Sequence, residues 1–270
     1  MLLQSKTAVI FGAGGSLGRA IAQAFAKEGA MVFVSGQHLD PVQQLANEIV
    51  FDGGRAEAFE VDALNKTAVD DHISDIISKA GKIDISMCLI RTEDLQGIPL
   101  VDLSVEDFTR PIKRIMESQF ITGTAAGRAM MKQGSGVILS LTATPGGIGY
   151  PNVGGFGPGC HVMENISLGL ATELGPYGIR VVNIRSGGSP DSQIFKDAIE
   201  FGGDKVKDFI KKMVDDTMLK RMPLMKDIAN TAVFLASDMA AGITGVTVDV
   251  TCGTTSALNY IAPPIAFVER

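Results

Sequence analysis

The 270-residue sequence contains only three cysteines, Cys88, Cys160 and Cys252, and they lie far apart. Their spacing excludes a C-x-x-C metal motif, and an odd, sparse number of cysteines argues against a disulfide framework. We therefore expect buried free thiols, a reducing cytoplasmic compartment and no metal site.

The sequence also lacks a block of Lys and Arg residues and a long apolar run. Its formal net charge is −6, with both signs mixed along the chain, so neither nucleic acid nor a membrane surface is an expected partner. Its apolar runs are shorter than the roughly 18 residues that a transmembrane helix needs. The N-terminal residues lack a charged start followed by a long apolar core, so no signal peptide is predicted.

Short β-branched segments alternate with amphipathic segments along the chain. The pattern predicts strands at 7–11, 31–35, 56–61, 83–89, 137–141, 179–184 and 246–250, and helices at 17–28, 65–80, 104–131, 155–177 and 227–237. A further helix should start with Asp40 as its N-cap and Pro41 in its first turn. This alternation requires right-handed crossovers. We predict one doubly wound α/β domain over residues 1–270, with a seven-stranded parallel sheet, helices on both faces and a polar insertion at about 187–223.

A glycine-rich segment, FGAGGSLGRA, joins the first predicted strand to the first predicted helix. Glycine lets the backbone approach a pyrophosphate closely, and a helix N-terminus offers free N–H groups and a positive dipole end. Because the segment lies inside a βαβ unit, it indicates a dinucleotide site more strongly than a turn without ligand. The residues expected to bind the cofactor here are Gly12, Gly14, Gly15, Ser16, Leu17 and Gly18.

The spacing of Gly12, Ser16 and Gly18 resembles the glycine turn of the short-chain dehydrogenase/reductase family, with Ser16 replacing the middle glycine. The segment ATELGPYGIRVVN at 171–183 and the segment FLASD at 234–238 are also similar to that family. The resemblance covers residues from about 6 to 253. It implies a Rossmann fold and an NAD(P)-dependent oxidoreductase that acts on a small molecule.

The resemblance also implies the remaining parts of the site. It places the substrate lid at 187–223 and predicts a homodimer or homotetramer built on the helices at 104–131 and 155–177. Further residues are expected near the cofactor, with Val61-Asp62 closing over the adenine: Asp62, Ala63, Arg185, Ser186, Gly187 and Asp191.

The end of the second predicted strand reads Ser35-Gly36-Gln37-His38. An acidic residue there hydrogen-bonds the ribose of NAD, whereas a nearby arginine pairs with the 2′-phosphate of NADP. Gln37 stands at the expected arginine position, and Arg19 is close enough in sequence to reach the phosphate region. The missing carboxylate favours NADP slightly over NAD, although Gln37 and His38 are also compatible with a solvated loop.

The family's reaction uses a tyrosine, a lysine four residues later and a serine, with an asparagine on the preceding helix. Aligned through 171–183, these positions fall on Phe156, Cys160 and Ala143, and the asparagine position falls on Ile115 or Met116. Phenylalanine carries no proton and cysteine has no fixed positive charge. The resemblance therefore implies a family member whose active site is atypical.

Several side chains are candidates for replacement chemistry, each with a simpler structural interpretation. Thr142 and Thr144 flank the serine position, and Tyr150 lies in the predicted active-site loop as a donor or a loop aromatic. Arg91 follows a strand, where this fold binds ligands. A reactive Cys160 has only His161 beside it, about 100° away around a helix.

Three functions agree with these observations. The first is an oxidoreductase with an altered active site. The second is a dinucleotide-binding pseudoenzyme that acts as a sensor or partner subunit, and the third is a non-redox enzyme that uses the same pocket. The family resemblance favours the first, because the fold alone does not decide function.

Overall fold

A seven-stranded parallel sheet forms the centre of the computed structural model, which describes residues 1–257. In chain order the strands are β1 Thr7–Phe11, β2 Met31–Gly36, β3 Arg55–Glu60, β4 Ile85–Cys88, β5 Gly136–Ala143, β6 Ile179–Ser186 and β7 Val246–Val250. Their order across the sheet is β3-β2-β1-β4-β5-β6-β7. The direction of strand order reverses between β1 and β4, and ligands of doubly wound folds bind outside the carboxyl ends of such strands.

Helices cover both faces of the sheet, which confirms the predicted fold. They are α1 Ser16–Lys27, α2 Leu39–Phe51, α3 Lys66–Ala80, α4 Val105–Gln133, α5 Phe156–Leu174, α6 Gln193–Phe201, α7 Gly203–Asp215 and α8 Met225–Ala236. One buried cluster joins α1, α2 and α8 to the sheet, and a second joins α3, α4 and α5 to its other face. Within residues 1–257, no helix combines the length and apolar character needed to cross a membrane.

The strand β1 is buried along its whole length. Ala8 and Ile10 belong to the first cluster, whereas Val9 and Phe11 belong to the second. Successive side chains of a strand point to opposite faces, so a strand covered on both faces must be apolar at every position. This requirement explains why AVIF at 8–11, which follows the buried Thr7, reads as one continuous apolar run.

The start of α2 differs from the sequence prediction. The helix begins at Leu39, and the N-cap residue is His38 rather than Asp40. The backbone N–H of Leu39 donates to Glu60 Oε2 on β3 at 3.2 Å. A carboxylate from a distant strand therefore caps this helix, and local sequence does not reveal such a cap.

Two strands extend further at their carboxyl ends than predicted. The ladder between β5 and β6 continues to the pair Ala143–Ser186. The insertion at 187–223 contains the two helices α6 and α7. The long ladder carries Ala143 and Ser186 to the same edge of the sheet as the glycine-rich turn.

Replacing Asn65 with Ala should lower the free energy of unfolding by about 1 kcal/mol. Asn65 is the N-cap of α3, and its Oδ1 accepts a hydrogen bond from the Ala68 backbone N–H at 3.1 Å. Asn65→Asp should keep most of the stability, because a carboxylate accepts the same bond. Urea denaturation followed by circular dichroism measures the difference. Equal midpoints for the two variants would show that this cap does not stabilise the helix.

Candidate functional site

The turn between β1 and α1 depends on glycine at two positions. Gly12 has a φ of +73°, and a β-carbon there would lie 2.7 Å from the carbonyl carbon of Leu89. A β-carbon on Gly18 would lie 2.8 Å from the Cα of Ala13. Gly12 and Gly18 therefore allow the turn to pack against β4 and against itself.

Gly15 differs from these two glycines because it faces open space. Among residues 1–257, no atom other than those of Gly15 and its two chain neighbours lies within 4 Å of the β-carbon that a substitution would add at Gly15. Gly15 is also the N-cap of α1, whose first turn contains no acidic residue and, in the described structure, no side-chain cap. A free helix N-terminus beside open space suits the anionic pyrophosphate of a dinucleotide. Gly14 belongs to the same turn and lies against the Pro41 side chain.

A cleft of about 320 Å³ opens beside this turn, at the carboxyl ends of β1, β4 and β5. It brings together residues that the sequence placed in the cofactor or catalytic site: Gly15, Leu17, Gly18, Thr142, Ala143, Phe156, Cys160 and Ser186. Ile115, one of the two residues placed at the asparagine position, also lines the cleft. The sequence did not single out the other lining residues: Cys88, Leu89, Ile90, Thr92, Ser118, Leu141, Met163 and Ile194. Most of these are apolar, so nothing in the sequence distinguishes them from core residues.

Phe156 and Cys160 occupy successive turns of α5 along one wall of the cleft. Phe156 is half-buried, and Cys160 is only 1% exposed. Burial raises the pKa of the Cys160 thiol to about 11. The thiol is therefore neutral at physiological pH, and neither side chain brings a charge to the cleft.

The hydroxyl of Thr142 is already bonded inside the protein. It donates to Glu164 Oε1 at 2.9 Å and accepts from Asn183 Nδ2 at 2.8 Å. Thr144 lies 3.4 Å from the Ser186 carbonyl oxygen and lines a different cavity. The two candidate threonines therefore have different surroundings, and Thr142 has little hydrogen-bonding capacity left for a ligand.

Arg185 forms a partly buried ionic cluster outside the lining of the cleft. Its Nη2 lies 2.7 Å from Glu164 Oε2, its Nη1 lies 2.9 Å from Asp249 Oδ2, and Nη2 also donates to the Gly146 carbonyl oxygen. Arg185, which was expected near the nicotinamide, is not among the residues that line the cleft, because its side chain leaves β6 on the face opposite Ser186. Glu164 escaped notice in the sequence, although it follows Phe156 and Cys160 at the helical spacing of four.

Asp191, which was also expected beside the cofactor, lies at the start of α8. Its carboxylate accepts a hydrogen bond from the Met225 backbone N–H at 3.0 Å. The residue therefore caps the first turn of α8. Gly187 lines the second cavity next to Thr144, so this part of the segment after β6 does reach a ligand-sized space.

The second cavity, of about 240 Å³, lies between the segment after β5 and the helix α7. Its walls are mainly apolar and include Ile148, Phe209, Met213, Met222 and Pro223. Tyr150 lines this cavity, whereas Phe156 and Cys160 line the first. Burial raises the pKa of the Tyr150 hydroxyl, and Asp216 raises it further. Tyr150 is therefore a neutral phenol beside an apolar space.

The end of β2 has exposed Gln37 and His38 beside a buried Ser35, whose hydroxyl donates to the Ile10 carbonyl oxygen. The prediction that Arg19 reaches a phosphate is not supported, because its guanidinium pairs with Glu48 on α2.

The carboxylate of Asp62, which follows β3, accepts from the Leu64 backbone N–H at 3.0 Å, and its neighbour Ala63 is buried.

Two further hydrogen bonds involve residues at or next to the cleft. Ser16 Oγ, in the glycine turn, accepts a hydrogen bond from the Gln193 backbone N–H at 3.2 Å. The first residue of α6 thus touches the glycine turn, and the next residue, Ile194, lines the cleft. Arg91 is exposed after β4, and its carbonyl oxygen accepts from Arg114 Nε at 3.3 Å.

Sequence comparison finds similar proteins over nearly the whole chain. A family profile described as enoyl-(acyl carrier protein) reductase matches residues 12–255. The 7alpha-hydroxysteroid dehydrogenase of Escherichia coli strain K12 is 30% identical over 257 residues, covering 95% of this chain and 97% of that protein. The 3-oxoacyl-(acyl-carrier-protein) reductase FabG of Rickettsia felis is 28% identical, covering 93% and 97%.

Solved structures share the fold. The structure of NAD⁺-bound xylitol dehydrogenase superposes with a TM-score of 0.86 at 22% identity, covering 94% of this chain and all of that chain. A short-chain type dehydrogenase/reductase from Mycobacterium marinum superposes with a TM-score of 0.82 at 26% identity, covering 94% and 96%.

Iodoacetamide at pH 8 should alkylate Cys252 first and leave Cys88 and Cys160 unmodified in the folded protein. Cys88 and Cys160 are buried, and burial raises the pKa of both thiols, so few thiolates are present and reagent access is poor. Cys252 is partly exposed, although burial raises its pKa as well. Peptide mass spectrometry measures each rate, and the urea-unfolded protein, in which all three should react alike, is the control. Equal labelling of Cys160 and Cys252 in the folded protein would contradict this account of the cleft.

Proposed function

The chain belongs to the short-chain dehydrogenase/reductase family, and on that basis we propose that it is an NAD(P)-dependent oxidoreductase with an atypical active site. One observation supports the proposal above the others. A single cleft joins the glycine turn, through Gly15 and Gly18, to the side chains of Phe156 and Cys160. The similar proteins named as a hydroxysteroid dehydrogenase and an oxoacyl reductase agree with carbonyl and alcohol chemistry.

The residues at the glycine turn suit a dinucleotide, since the free N-terminus of α1 and the open space at Gly15 leave room for an anion. A bound nicotinamide supplies hydride transfer. The chain's own part is to bind and orient the cofactor and to exclude water, with Ile194 of α6 covering one side of the cleft. We propose these cofactor-binding residues: Gly12, Gly14, Gly15, Ser16, Leu17, Gly18, Gln37, Asp62, Ala63, Ser186 and Gly187.

The atypical part of the proposal concerns proton transfer. A positioned acid or base typically contributes about 100- to 10,000-fold in rate. Phe156, Cys160 and Ala143 have no such group, and groups that act as a unit do not contribute additively. We propose that the natural substrate needs little acid catalysis or supplies its own proton. The hydroxyl of Thr142 is already bonded inside the protein, which leaves Thr144 and Tyr150 as the candidate donors. Arg91 stands between the cleft residues Ile90 and Thr92 and stays a candidate for contact with the substrate.

The second cavity suggests the kind of substrate. It adjoins the cleft through Ser186 and Gly187, and its walls are formed largely by Ile148, Phe209 and Met213. Burial of apolar surface favours an apolar ligand there. We propose a small apolar carbonyl or alcohol substrate, with the insertion at 187–223 as its lid.

The same lack of acid–base groups favours a second candidate function. A chain that keeps the residues of the glycine turn but has no proton-transfer residues can act as a cofactor-binding sensor or partner subunit. Binding without turnover on any substrate distinguishes this pseudoenzyme from the oxidoreductase.

We also propose a cytoplasmic homodimer or homotetramer that pairs through α4 and α5. Met116, Phe120 and Leu168 on these helices are 44%, 59% and 51% exposed. Apolar side chains of this size on neighbouring helices suit burial against a second copy.

Gly15→Glu should abolish cofactor binding and leave the fold intact. The new side chain has open space, and its carboxylate occupies the anion position at the N-terminus of α1. Gly242→Glu is the matched control. Gly242 also faces open space among the described residues, and the substitution adds the same charge away from the glycine turn. Isothermal titration calorimetry with NAD, NADH, NADP and NADPH measures binding, and circular dichroism checks the fold. If the folded parent protein binds none of the four, the proposed function is wrong.

Restoring the family's residues should create ordinary reductase activity. The triple variant Ala143→Ser, Phe156→Tyr and Cys160→Lys should gain activity on a panel of small ketones, because it supplies the proton donor, the positive charge and the oxygen contact together. Phe156→Tyr alone should gain little. Consumption of NADH or NADPH, followed by absorbance, measures the rates. If the unmodified chain reduces such ketones at ordinary rates, on the order of 10 per second, the reaction does not require the family's residues at these three positions.

A further inference from the structure

Glu60 brings a carboxylate to the end of β2. It is the last residue of β3 and lies across the ladder from Gly36, the last residue of β2. Its Oε2 accepts a hydrogen bond at 3.2 Å from the backbone N–H of Leu39, the first residue of α2. In dinucleotide-binding folds the end of the second strand adjoins the adenosine ribose. The sequence of β2 supplies no acidic residue at this point, but the structure does.

The surroundings of Glu60 are poor in positive charge. Asp40 adds a second carboxylate in the first turn of α2, and Pro41 removes a backbone donor from that turn. Arg19, the nearest arginine to the glycine turn in sequence, is paired with Glu48. In the described part of the chain, neither Glu60 nor Asp40 has a Lys or Arg partner within salt-bridge distance.

We infer that Glu60 makes this chain select NAD over NADP. The inference rests on the proposed function, because it requires a dinucleotide at the glycine turn. A 2′-phosphate carries close to two negative charges at neutral pH, and it would meet a carboxylate that already accepts the free N–H at the start of α2. A ribose hydroxyl can instead donate a hydrogen bond to a carboxylate. The inferred preference for NAD is the opposite of the slight preference for NADP that β2 alone suggested.

A purely structural role for Glu60 makes a different prediction. If Glu60 only caps α2, its removal lowers stability and changes the affinity for both cofactors alike. If it selects the cofactor, loss of the charge improves NADPH binding specifically. Glu60→Gln separates the two roles, because the glutamine side-chain oxygen still accepts from Leu39 N–H while the charge is gone.

The experiment is calorimetric titration of NADH and NADPH into the parent protein, Glu60→Gln and the control Glu57→Gln. Glu57 lies on the same strand and pairs with Lys79, so the control removes an equal charge outside the site. The parent should bind NADH more tightly, and Glu60→Gln should shift the affinity ratio towards NADPH by about tenfold, the effect expected of like charges brought together. Adding Gln37→Arg should shift it further. Glu57→Gln should leave the ratio unchanged.

Salt gives a second readout. Glu60 is exposed, so screening at high ionic strength should narrow the difference between NADH and NADPH in the parent and have less effect in Glu60→Gln. A parent that prefers NADPH, or an unchanged ratio in a folded Glu60→Gln variant, would overturn the role of Glu60 and leave the proposed function standing. If the folded parent binds neither cofactor, both are overturned.

Discussion

Gly12 lies so close to the residue after β4 that a β-carbon there would clash with the carbonyl carbon of Leu89. This contact between two backbones determines where α1 starts and which way its N-terminus points. It also draws the residues after β4 into the wall of the cleft. The glycine turn, the cleft and the contact from α6 to Ser16 all depend on this close approach of two backbone segments, because a wider turn would move the helix N-terminus away from the strand ends.

The parts of the fold that depend on local pattern could be predicted from the sequence. The strand β1 reads as apolar because it is covered on both faces, and Asn65 and Ser104 lie directly at helix starts as N-caps. The start of α2 could not be predicted, since Glu60 caps it from 21 residues away. The ion pairs of Arg185 could not be predicted for the same reason, because its partners Glu164 and Asp249 are far from it in sequence. Such polar pairs leave no periodic signal.

The wall of the cleft contributed by α5 has an unusual distribution of charge. Phe156, Cys160 and Glu164 follow one another at one-turn spacing, and the first charge appears only at the third position. There it is held by Arg185 and Thr142 inside the protein. The helix therefore presents a neutral surface to the cleft and an ionic contact to the sheet behind it. The uncharged surface is consistent with ligand chemistry that relies on shape and burial.

The sheet order has a consequence for the growing polypeptide. Residue Ala8 of β1 pairs with Val32 of β2 on one side and with Ile85 of β4 on the other. A nascent chain that has emerged only as far as β3 can complete the first ladder but not the second. Until β4 leaves the ribosome, the most apolar strand keeps one edge of unpaired backbone groups, which is the surface that strands of other chains recognise. Between the synthesis of β3 and that of β4, this edge of β1 is therefore open to pairing with a strand of another chain.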